Sequence, residues 1–314
     1  TYKNFNEELL NRKCIVENYL ISINKIGEYN FNIKKVMELG YLMKCFYILN
    51  NSNELTEAIK YYFGFTGYIE NINKLQYQIE NKNMNFCNFI DNDKVVTIKN
   101  CYFAALNNKN PVKNNIKLNN NIIITGPNAA GKTTLLKSVL YNIILSQQIG
   151  CGFYSKADLK VYDYIHCYIN IPDTSDRDSL FQAECRNCKN ILDKILENPD
   201  KNHFCVFDEL YSGTNPYEAI ASGYSYLDYI SKYKNINFVL TTHYIKLCKL
   251  LKSKTNNNHY MEINTSDISS NYTYTYKLVP GISEIKGGIK VLKDLEYPET
   301  IVNNMNETID KITI

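Results

Sequence analysis

The sequence predicts an α/β domain that is preceded by an all-helical segment and followed by a short helical one. Before residue 90, apolar residues recur at helical intervals. Beyond it, continuous apolar runs at residues 122–124, 204–207 and 238–240 alternate with helical patterns. Continuous apolar strands separated by helices are typical of a sheet with both faces covered. We therefore expect a mixed or parallel sheet flanked by helices.

The N-terminal segment, residues 1–93, is predicted to be helical over most of its length. One apolar stretch stops at Gly27, a second lies between residues 36 and 49, and a third runs from 55 to 79 with interruptions at Gly64 and Gly67. Apolar stripes at this spacing are usually the buried sides of bundled helices. We expect them to form a helical core rather than a binding surface.

Residues 94–280 are predicted to form the α/β domain, and residues 281–314 a closing helical segment. Short β-like runs at 95–98 and 101–106 mark the change near residue 93. An alternation of Tyr and Thr at 272–276 predicts the last strand, and helical spacing returns after Gly281.

Composition excludes several classes of protein. The chain has 314 residues, of which 45% are hydrophobic and 21% charged, as in folded globular proteins and unlike disordered or fibrous ones. Its net charge of +3 is too small to identify a nucleic-acid or membrane partner. Ten cysteines lack the spacing of a disulfide framework, and neither a membrane-spanning run nor a signal peptide is visible. We expect an intracellular protein of the cytoplasm or nucleus, neither secreted nor membrane-spanning, and the first residue, Thr1, suggests a piece of a longer chain.

Residues 126–133 match the pattern G-x-x-x-x-G-K-[ST] between a three-isoleucine strand and a helical pattern. In such a P-loop, backbone N–H groups and a helix N-terminus hold phosphate groups. Lys132 is expected to neutralise the β- and γ-phosphates, and the Thr133 hydroxyl to ligate Mg²⁺. The predicted nucleotide-binding residues of this segment are Gly126, Pro127, Asn128, Ala129, Ala130, Gly131, Lys132, Thr133 and Thr134.

Two further strand ends carry polar side chains. The apolar run at 204–207 ends in Asp208 and Glu209, where a P-loop fold places its Mg²⁺-facing carboxylate. Asp208 is expected to hold the Mg²⁺ shell and Glu209 to polarise the attacking water. The run at 238–240 leads to His243, which can reach a γ-phosphate as a sensor.

Together these residues resemble the ATPase domain of the MutS family, relatives of the ABC ATPases best known for DNA mismatch repair. Residues 125–134 are similar to the family's Walker A, and 148–153 to the segment after the Walker helix. Residues 178–184 resemble its Ser-Thr-Phe-x-x-Glu signature, 208–216 its Walker B and D-loop, and 242–244 its Thr-His-Tyr switch. The resemblance runs from about residue 95 to residue 305.

The resemblance implies an ABC-like P-loop NTPase that binds and hydrolyses Mg-ATP in a dimer with composite sites. Ser179 would face, in trans, the γ-phosphate bound by the other subunit, and Asn128 would approach the nucleotide or its Mg²⁺. The dimer, a homodimer or a MutS-type heterodimer, would be supported by the C-terminal helices. The helical first 90 residues would match the end of the lever and core helices that couple nucleotide state to DNA. The implied function is a DNA-bound clamp in mismatch repair, with DNA contacted largely through regions outside this chain.

Several positions depart from the family pattern. Asn110-Pro111 stands where the family commonly has His-Pro, Leu180 replaces the signature Thr, and residues 172–177 lack an expected glycine. Nothing resembles the N-terminal mismatch-reading domain, and residues 5–7 share the spelling of its Phe-x-Glu wedge only by coincidence. Cys185 and Cys188 have the spacing of a zinc pair, but no second pair lies nearby, so helical spacing is the better explanation.

Three alternatives stay open. Another ABC-like ATPase, of a chromosome-structure or transport type, would be favoured by a Leu-Ser-Gly-Gly-Gln signature, which the sequence lacks. A clamp with little hydrolysis is disfavoured by Glu209. A MutS-related ATPase in recombination, or in another DNA transaction without mismatch recognition, fits the same motifs.

Overall fold

The computed structural model describes residues 2–28, 33–169, 179–252, 256–265, 272–285 and 287–311. It divides the chain into two compact units, Thr1–Asn81 and Lys82–Ile314. The second unit begins before a strand, Asn85–Phe89, that pairs with other strands of that unit. The sequence predicts helix up to about residue 90 and a boundary near residue 93; the helix prediction is wrong beyond Glu80, because the chain there enters this strand. Residue 178 of the predicted signature and residues 172–177 lie outside the described residues.

The described part of the first unit contains α1 Tyr2–Ile23, α2 Ile33–Asn51 and α3 Asn53–Glu80. Ser52 caps α3, since its side chain accepts a hydrogen bond from the Leu55 N–H at 3.2 Å. α3 continues through Gly64 and Gly67, so the predicted interruptions are wrong. A glycine costs a helix interior only about 1 kcal/mol relative to alanine, and a long helix tolerates this cost.

Most apolar side chains of these helices are exposed, which contradicts the expected helical core. Leu10, Met43 and Phe46 have exposed fractions of 63%, 64% and 68%. Among the described residues of the unit, the buried apolar ones are Cys45, Leu55 and Ala58. Helical spacing therefore identified the helices correctly but not how much of each helix is buried.

The second unit is mixed α/β, as predicted, with two sheets flanked by helices. Its elements in chain order are β1 Asn85–Phe89, β2 Val96–Cys101, a 3₁₀ helix Ala104–Lys109, β3 Asn114–Leu118, β4 Asn121–Thr125, α4 Lys132–Ile149, β5 Cys151–Gly152, β6 Lys156–Leu159, β7 Tyr164–Tyr168, α5 Leu180–Glu197, β8 His203–Asp208, α6 Pro216–Ile230, β9 Ile236–Thr241, α7 Ile245–Leu250, β10 Asn256–Thr265, β11 Tyr272–Pro280, α8 Gly288–Asp294 and α9 Glu299–Lys311. The predicted strand at 101–106 is wrong beyond Cys101, where the chain leaves the sheet and forms the 3₁₀ helix.

The six-stranded sheet has the order β11-β10-β4-β9-β8-β7 and is parallel except for the β10–β11 pair. The five-stranded sheet has the order β3-β2-β6-β1-β5. In the six-stranded sheet, Thr241 of β9 pairs with Asp208 of β8 on one side and with Ile124 of β4 on the other. The carboxyl ends of β4, β8 and β9 therefore lie side by side along the carboxyl edge of the sheet.

Both faces of the six-stranded sheet are covered, as the continuous apolar strands predicted. Ile122, Ile124 and Val239 belong to a buried cluster that α4 and the five-stranded sheet complete. Ile123, Phe238 and their neighbours belong to a second cluster, to which α5, α6 and α7 contribute. Successive strand residues point to opposite faces, so each run is apolar at every position. None of the described helices is long and apolar enough to cross a membrane.

Candidate functional site

The loop between β4 and α4 has a backbone that depends on its glycines. Gly126 and Gly131 have φ angles of 149° and 92°, in a region that L side chains rarely adopt, and α4 begins directly after Gly131. A Cβ on Gly131 would lie 3.0 Å from Cδ1 of Tyr276. Ala129 also has a positive φ, 63°, without being glycine. The loop thus wraps tightly in front of the α4 N-terminus.

Lys132 is buried and turns back onto this loop. Its Nζ donates hydrogen bonds to the carbonyl oxygens of Gly126 at 2.9 Å and Pro127 at 3.1 Å, and lies 3.8 Å from Oε1 of Glu209. Burial lowers the pKa of Lys132, and the carboxylates of Glu209 and Asp208 oppose that shift. The ammonium group is therefore held inside the loop, beside a carboxylate.

Thr133 and Asp208 form an oxygen-rich corner next to Lys132. The Thr133 hydroxyl lies 2.9 Å from Oδ2 and 3.1 Å from Oδ1 of Asp208, and donates its hydrogen to this carboxylate. The Thr241 hydroxyl, at the end of the neighbouring strand, also donates to Oδ1 of Asp208. Hydroxyl and carboxylate oxygens are ligands of the kind that Mg²⁺ prefers.

Glu209 stands between Lys132 and His243. Its φ of 53° is left-handed, and its N–H donates to the Thr241 carbonyl oxygen at 3.0 Å. Oε2 lies 3.6 Å from Nδ1 of His243. The pKa of Glu209 is lowered, mainly by the His243 side chain and also by the charge of Lys132. Burial raises this pKa and offsets part of the effect. Glu209 is therefore ionised at neutral pH.

A cavity of about 690 Å³ opens beside the loop. Asn128, Ala129, Gly131, Lys132, Thr133, Thr134 and Glu209 line one part of it. Another part is lined by Tyr102, Phe103 and residues 109–112, which include the Asn110-Pro111 departure. This volume lies within the range of small-molecule and cofactor pockets, roughly 300–1,000 Å³.

Ser179 is placed elsewhere, at the start of α5, and it is not among the residues that line this cavity. Its side chain accepts a hydrogen bond from the Gln182 N–H at 3.4 Å, and the Gln182 side chain accepts from the Ser179 N–H at 3.0 Å. This reciprocal pair is a capping box. Within one chain, Ser179 therefore has a structural role as a helix cap.

Several residues of the site were not predicted from the sequence. Tyr274 donates from its hydroxyl to the Asn128 carbonyl oxygen at 3.1 Å, Tyr276 lines the cavity, and Thr241 binds Asp208. Glu184 is buried and accepts hydrogen bonds from the turn after β8. Thr241 lies at the end of a predicted strand and Glu184 in the predicted signature, so the sequence offered a signal for both. Tyr274 and Tyr276 reach the site because β11 pairs with β10, and no sequence pattern indicated that pairing.

These features define an α/β domain with a glycine-bounded loop, a buried lysine and two consecutive carboxylates at the carboxyl edge of its parallel sheet. A protein-family model described as MutS domain V matches residues 122–313. The match covers more than half of the chain, so the chain belongs to the MutS family. This membership confirms, at family level, the resemblance stated from the motifs.

Individual members of the family are similar to a large part of the chain. The DNA mismatch repair protein MutS of Parabacteroides distasonis is 31% identical over 195 residues, which cover 61% of this chain and 22% of that protein. Endonuclease MutS2 of Staphylococcus haemolyticus is 30% identical over 222 residues, which cover 69% of this chain and 27% of that protein. The chain spans about a quarter of the length of these relatives.

Proposed function

We propose that this chain is the C-terminal ATPase domain of a MutS-type protein, an ABC-like P-loop NTPase that binds and hydrolyses Mg-ATP. The observation that carries the proposal is the convergence of Lys132, Thr133, Asp208 and Glu209 at one sheet edge, beside a nucleotide-sized cavity. Membership of the MutS family supports it.

The loop and Lys132 are assigned to the phosphate groups of ATP. The α4 N-terminus directs backbone N–H groups and partial positive charge toward the loop. Lys132 Nζ is held by two carbonyl oxygens, which orient it without neutralising its charge. Asn128, Thr134 and the remaining residues of 126–134 complete the cradle.

Thr133 and Asp208 are assigned to Mg²⁺. The fit is chemical, because both residues present oxygen atoms and already lie within hydrogen-bond distance of each other. When bound, Mg²⁺ supplies charge that neutralises the phosphate oxygens. Thr241 holds Asp208 in place from the adjacent strand.

Glu209 is assigned to the attacking water. An ionised carboxylate accepts a hydrogen bond from water and takes up its proton while the water oxygen bonds to the γ-phosphorus. The bond between the γ-phosphorus and the β–γ bridging oxygen breaks, so ADP and phosphate leave. His243 contacts Glu209 and is placed to respond to the γ-phosphate.

The dimer and DNA belong to the same proposal. Ser179 would complete the site of a second subunit in a homodimer or MutS-type heterodimer, and α8 and α9 would support that contact. The cycle would drive a DNA-bound clamp in mismatch repair inside the cell, with DNA contacted through regions largely outside this chain. The name of the Parabacteroides distasonis relative supports this assignment.

A second candidate function is a DNA transaction without mismatch recognition. The relative named endonuclease MutS2 covers a larger share of this chain than the mismatch repair relative, 69% against 61%. Comparing ATP turnover on heteroduplex and homoduplex DNA, with the complete natural protein, separates the two. Faster turnover on heteroduplex supports mismatch repair, and equal turnover supports the second candidate.

The ATPase assignment is tested with Glu209→Gln. We expect ATP turnover to fall about 100-fold or more, because the base is lost, while Mg-ATP affinity stays within about threefold. Phosphate release and equilibrium nucleotide binding measure the two quantities. Glu197→Gln, an exposed glutamate of α5, is the matched control. Absence of turnover in the unsubstituted protein contradicts the function, and unchanged turnover in Glu209→Gln contradicts the role of Glu209.

A further inference from the structure

The turn that follows β8 has an unusual backbone. Glu209 and Tyr211 both have left-handed φ angles, 53° and 58°, although neither is glycine. Such a conformation is costly and persists only where surrounding contacts impose it. The contacts of this turn therefore decide where the Glu209 carboxylate points.

Two of those contacts come from neighbouring strands. The Glu209 N–H donates to the Thr241 carbonyl oxygen at 3.0 Å, and the Tyr211 N–H donates to the Tyr168 hydroxyl at 3.3 Å. Thr241 ends β9 and Tyr168 ends β7, the strands on either side of β8. They hold the beginning of the turn against the sheet.

The end of the turn is held by one carboxylate, that of Glu184 in α5. Oε1 accepts hydrogen bonds from the N–H and the hydroxyl of Ser212, both at 3.0 Å, and Oε2 accepts from the Gly213 N–H at 3.0 Å. Glu184 is only 2% exposed, so water cannot replace these bonds easily. Bonds to an ionised acceptor are also stronger than those between neutral groups.

Gly213 brings the turn into direct contact with the start of α5. A Cβ on Gly213 would lie 2.7 Å from Cγ of Leu180 and 2.8 Å from the backbone nitrogen of Phe181. Because one of these atoms belongs to the backbone, a side chain here would force the turn and the helix apart. The contact is steric and independent of the charge of Glu184.

We propose that Glu184 is a positioning residue for Glu209: through Ser212 and Gly213 it holds the strained turn that aims the Glu209 carboxylate. The proposal rests on the proposed ATPase function. Glu184 does not line the cavity beside the loop, so it acts through the turn and not on the nucleotide. Its loss should therefore slow the chemical step more than it weakens nucleotide binding.

The first test is Glu184→Gln, which keeps the size of the side chain but replaces an acceptor oxygen by an amide that faces backbone donors. We expect kcat for ATP to fall about tenfold or more, since small displacements of a catalytic group have large effects, with KM and nucleotide affinity within about twofold. Glu197→Gln makes the same chemical change on the same helix at an exposed site and should leave both constants unchanged. Unchanged kcat in Glu184→Gln overturns the proposal.

Amide hydrogen exchange provides a readout that does not depend on activity. In Glu184→Gln, amides of a peptide covering residues 210–215 should exchange about tenfold faster or more, while those within α6 keep their protection. Faster exchange together with unchanged kcat would mean that Glu184 only stabilises the turn, which also overturns the proposal. Unchanged exchange would mean that the contact is absent in solution.

Gly213→Ala tests the same contact sterically, because it adds a methyl group between the turn and α5. It replaces the first test if Glu184→Gln does not fold. We expect a fall in kcat of the same kind, again with KM nearly unchanged. Equal falls in kcat and nucleotide affinity would indicate general damage and contradict the positioning role. If the unsubstituted protein shows no ATP turnover, the proposed function fails, whereas the exchange experiment still tests the contact.

Discussion

At the scale of single residues, the same side-chain types have different environments that set their chemistry. Asp208 is tied by two threonine hydroxyls, Glu209 stands between a lysine and a histidine, and Glu184 is buried against backbone N–H groups. The first environment suits a cation, the second a proton acceptor and the third a structural anchor. Three carboxylates close together in the fold can thus serve three purposes.

Outside the site, the surroundings of His166 and His203 decide which ring nitrogens carry the hydrogens. His203 Nε2 lies 3.0 Å from the Asn198 carbonyl oxygen, which can only accept, so this nitrogen carries the hydrogen. His203 Nδ1 then accepts from His166 Nε2, which lies 3.0 Å away. Burial, and to a lesser degree His203, lower the pKa of His166 from 6.5 to about 4.

This shift predicts a pH dependence of stability. Unfolded His166 takes up a proton near pH 6.5 and folded His166 only near pH 4, so its contribution is complete above 6.5 and is lost as the pH falls through about 4. We expect the free energy of unfolding to decrease between pH 7 and pH 4.5, and to decrease less in His166→Gln. Urea unfolding at several pH values measures this. An identical pH dependence in both proteins would contradict the shift.

At the scale of secondary-structure elements, the N-termini of two helices position several of the predicted site residues. α4 starts at Lys132 directly behind the glycine-bounded loop, and α5 starts at Leu180 behind its Ser179 cap. Both starts were predictable, one from the P-loop pattern and the other from the signature. Ser179 is different from the loop residues because one hydroxyl would serve two roles: its oxygen accepts the cap hydrogen bond, and its O–H would donate to the γ-phosphate in trans.

Two substitutions separate these roles of Ser179. Ser179→Ala should lower the free energy of unfolding by about 1 kcal/mol, because the cap is lost. Ser179→Asp should restore that stability, since aspartate is a good cap, but not ATP turnover, because a negative charge would face the γ-phosphate of the other subunit. Urea unfolding and phosphate release measure the two effects. Turnover that follows stability in both variants would argue against a role in trans.

At the scale of the whole molecule, the two compact units differ in what they contain. All residues that line the cavity lie between Cys101 and Tyr276, inside the unit Lys82–Ile314. The unit Thr1–Asn81 buries few apolar side chains of its own among its described residues. The cavity beside the loop is therefore lined by residues of this one unit.

A fragment of residues 82–314 should consequently fold and bind Mg-ATP with an affinity within about threefold of the full chain, since a compact unit with its own core can fold alone. Circular dichroism and equilibrium binding measure folding and affinity. The same fragment with Lys132→Met should fold but bind at least about tenfold more weakly, because the buried ammonium is lost. A folded fragment without measurable binding would show that the first unit is needed for the site.

Local features could be predicted from the sequence: the helices of the first unit, the apolar strands, the loop pattern and the resemblance to the MutS family. These depend on spacings of a few residues, which a linear pattern displays. The amount of burial in the first unit and the end of the strand at Cys101 were predicted wrongly, because both depend on packing partners. Other contacts could not be predicted from the sequence and depend on the tertiary structure: Asn128 and Tyr274 are 146 positions apart, and Glu184 and Ser212 are 28 apart. Strand order and register bring these residues together, and no spacing within the sequence encodes them.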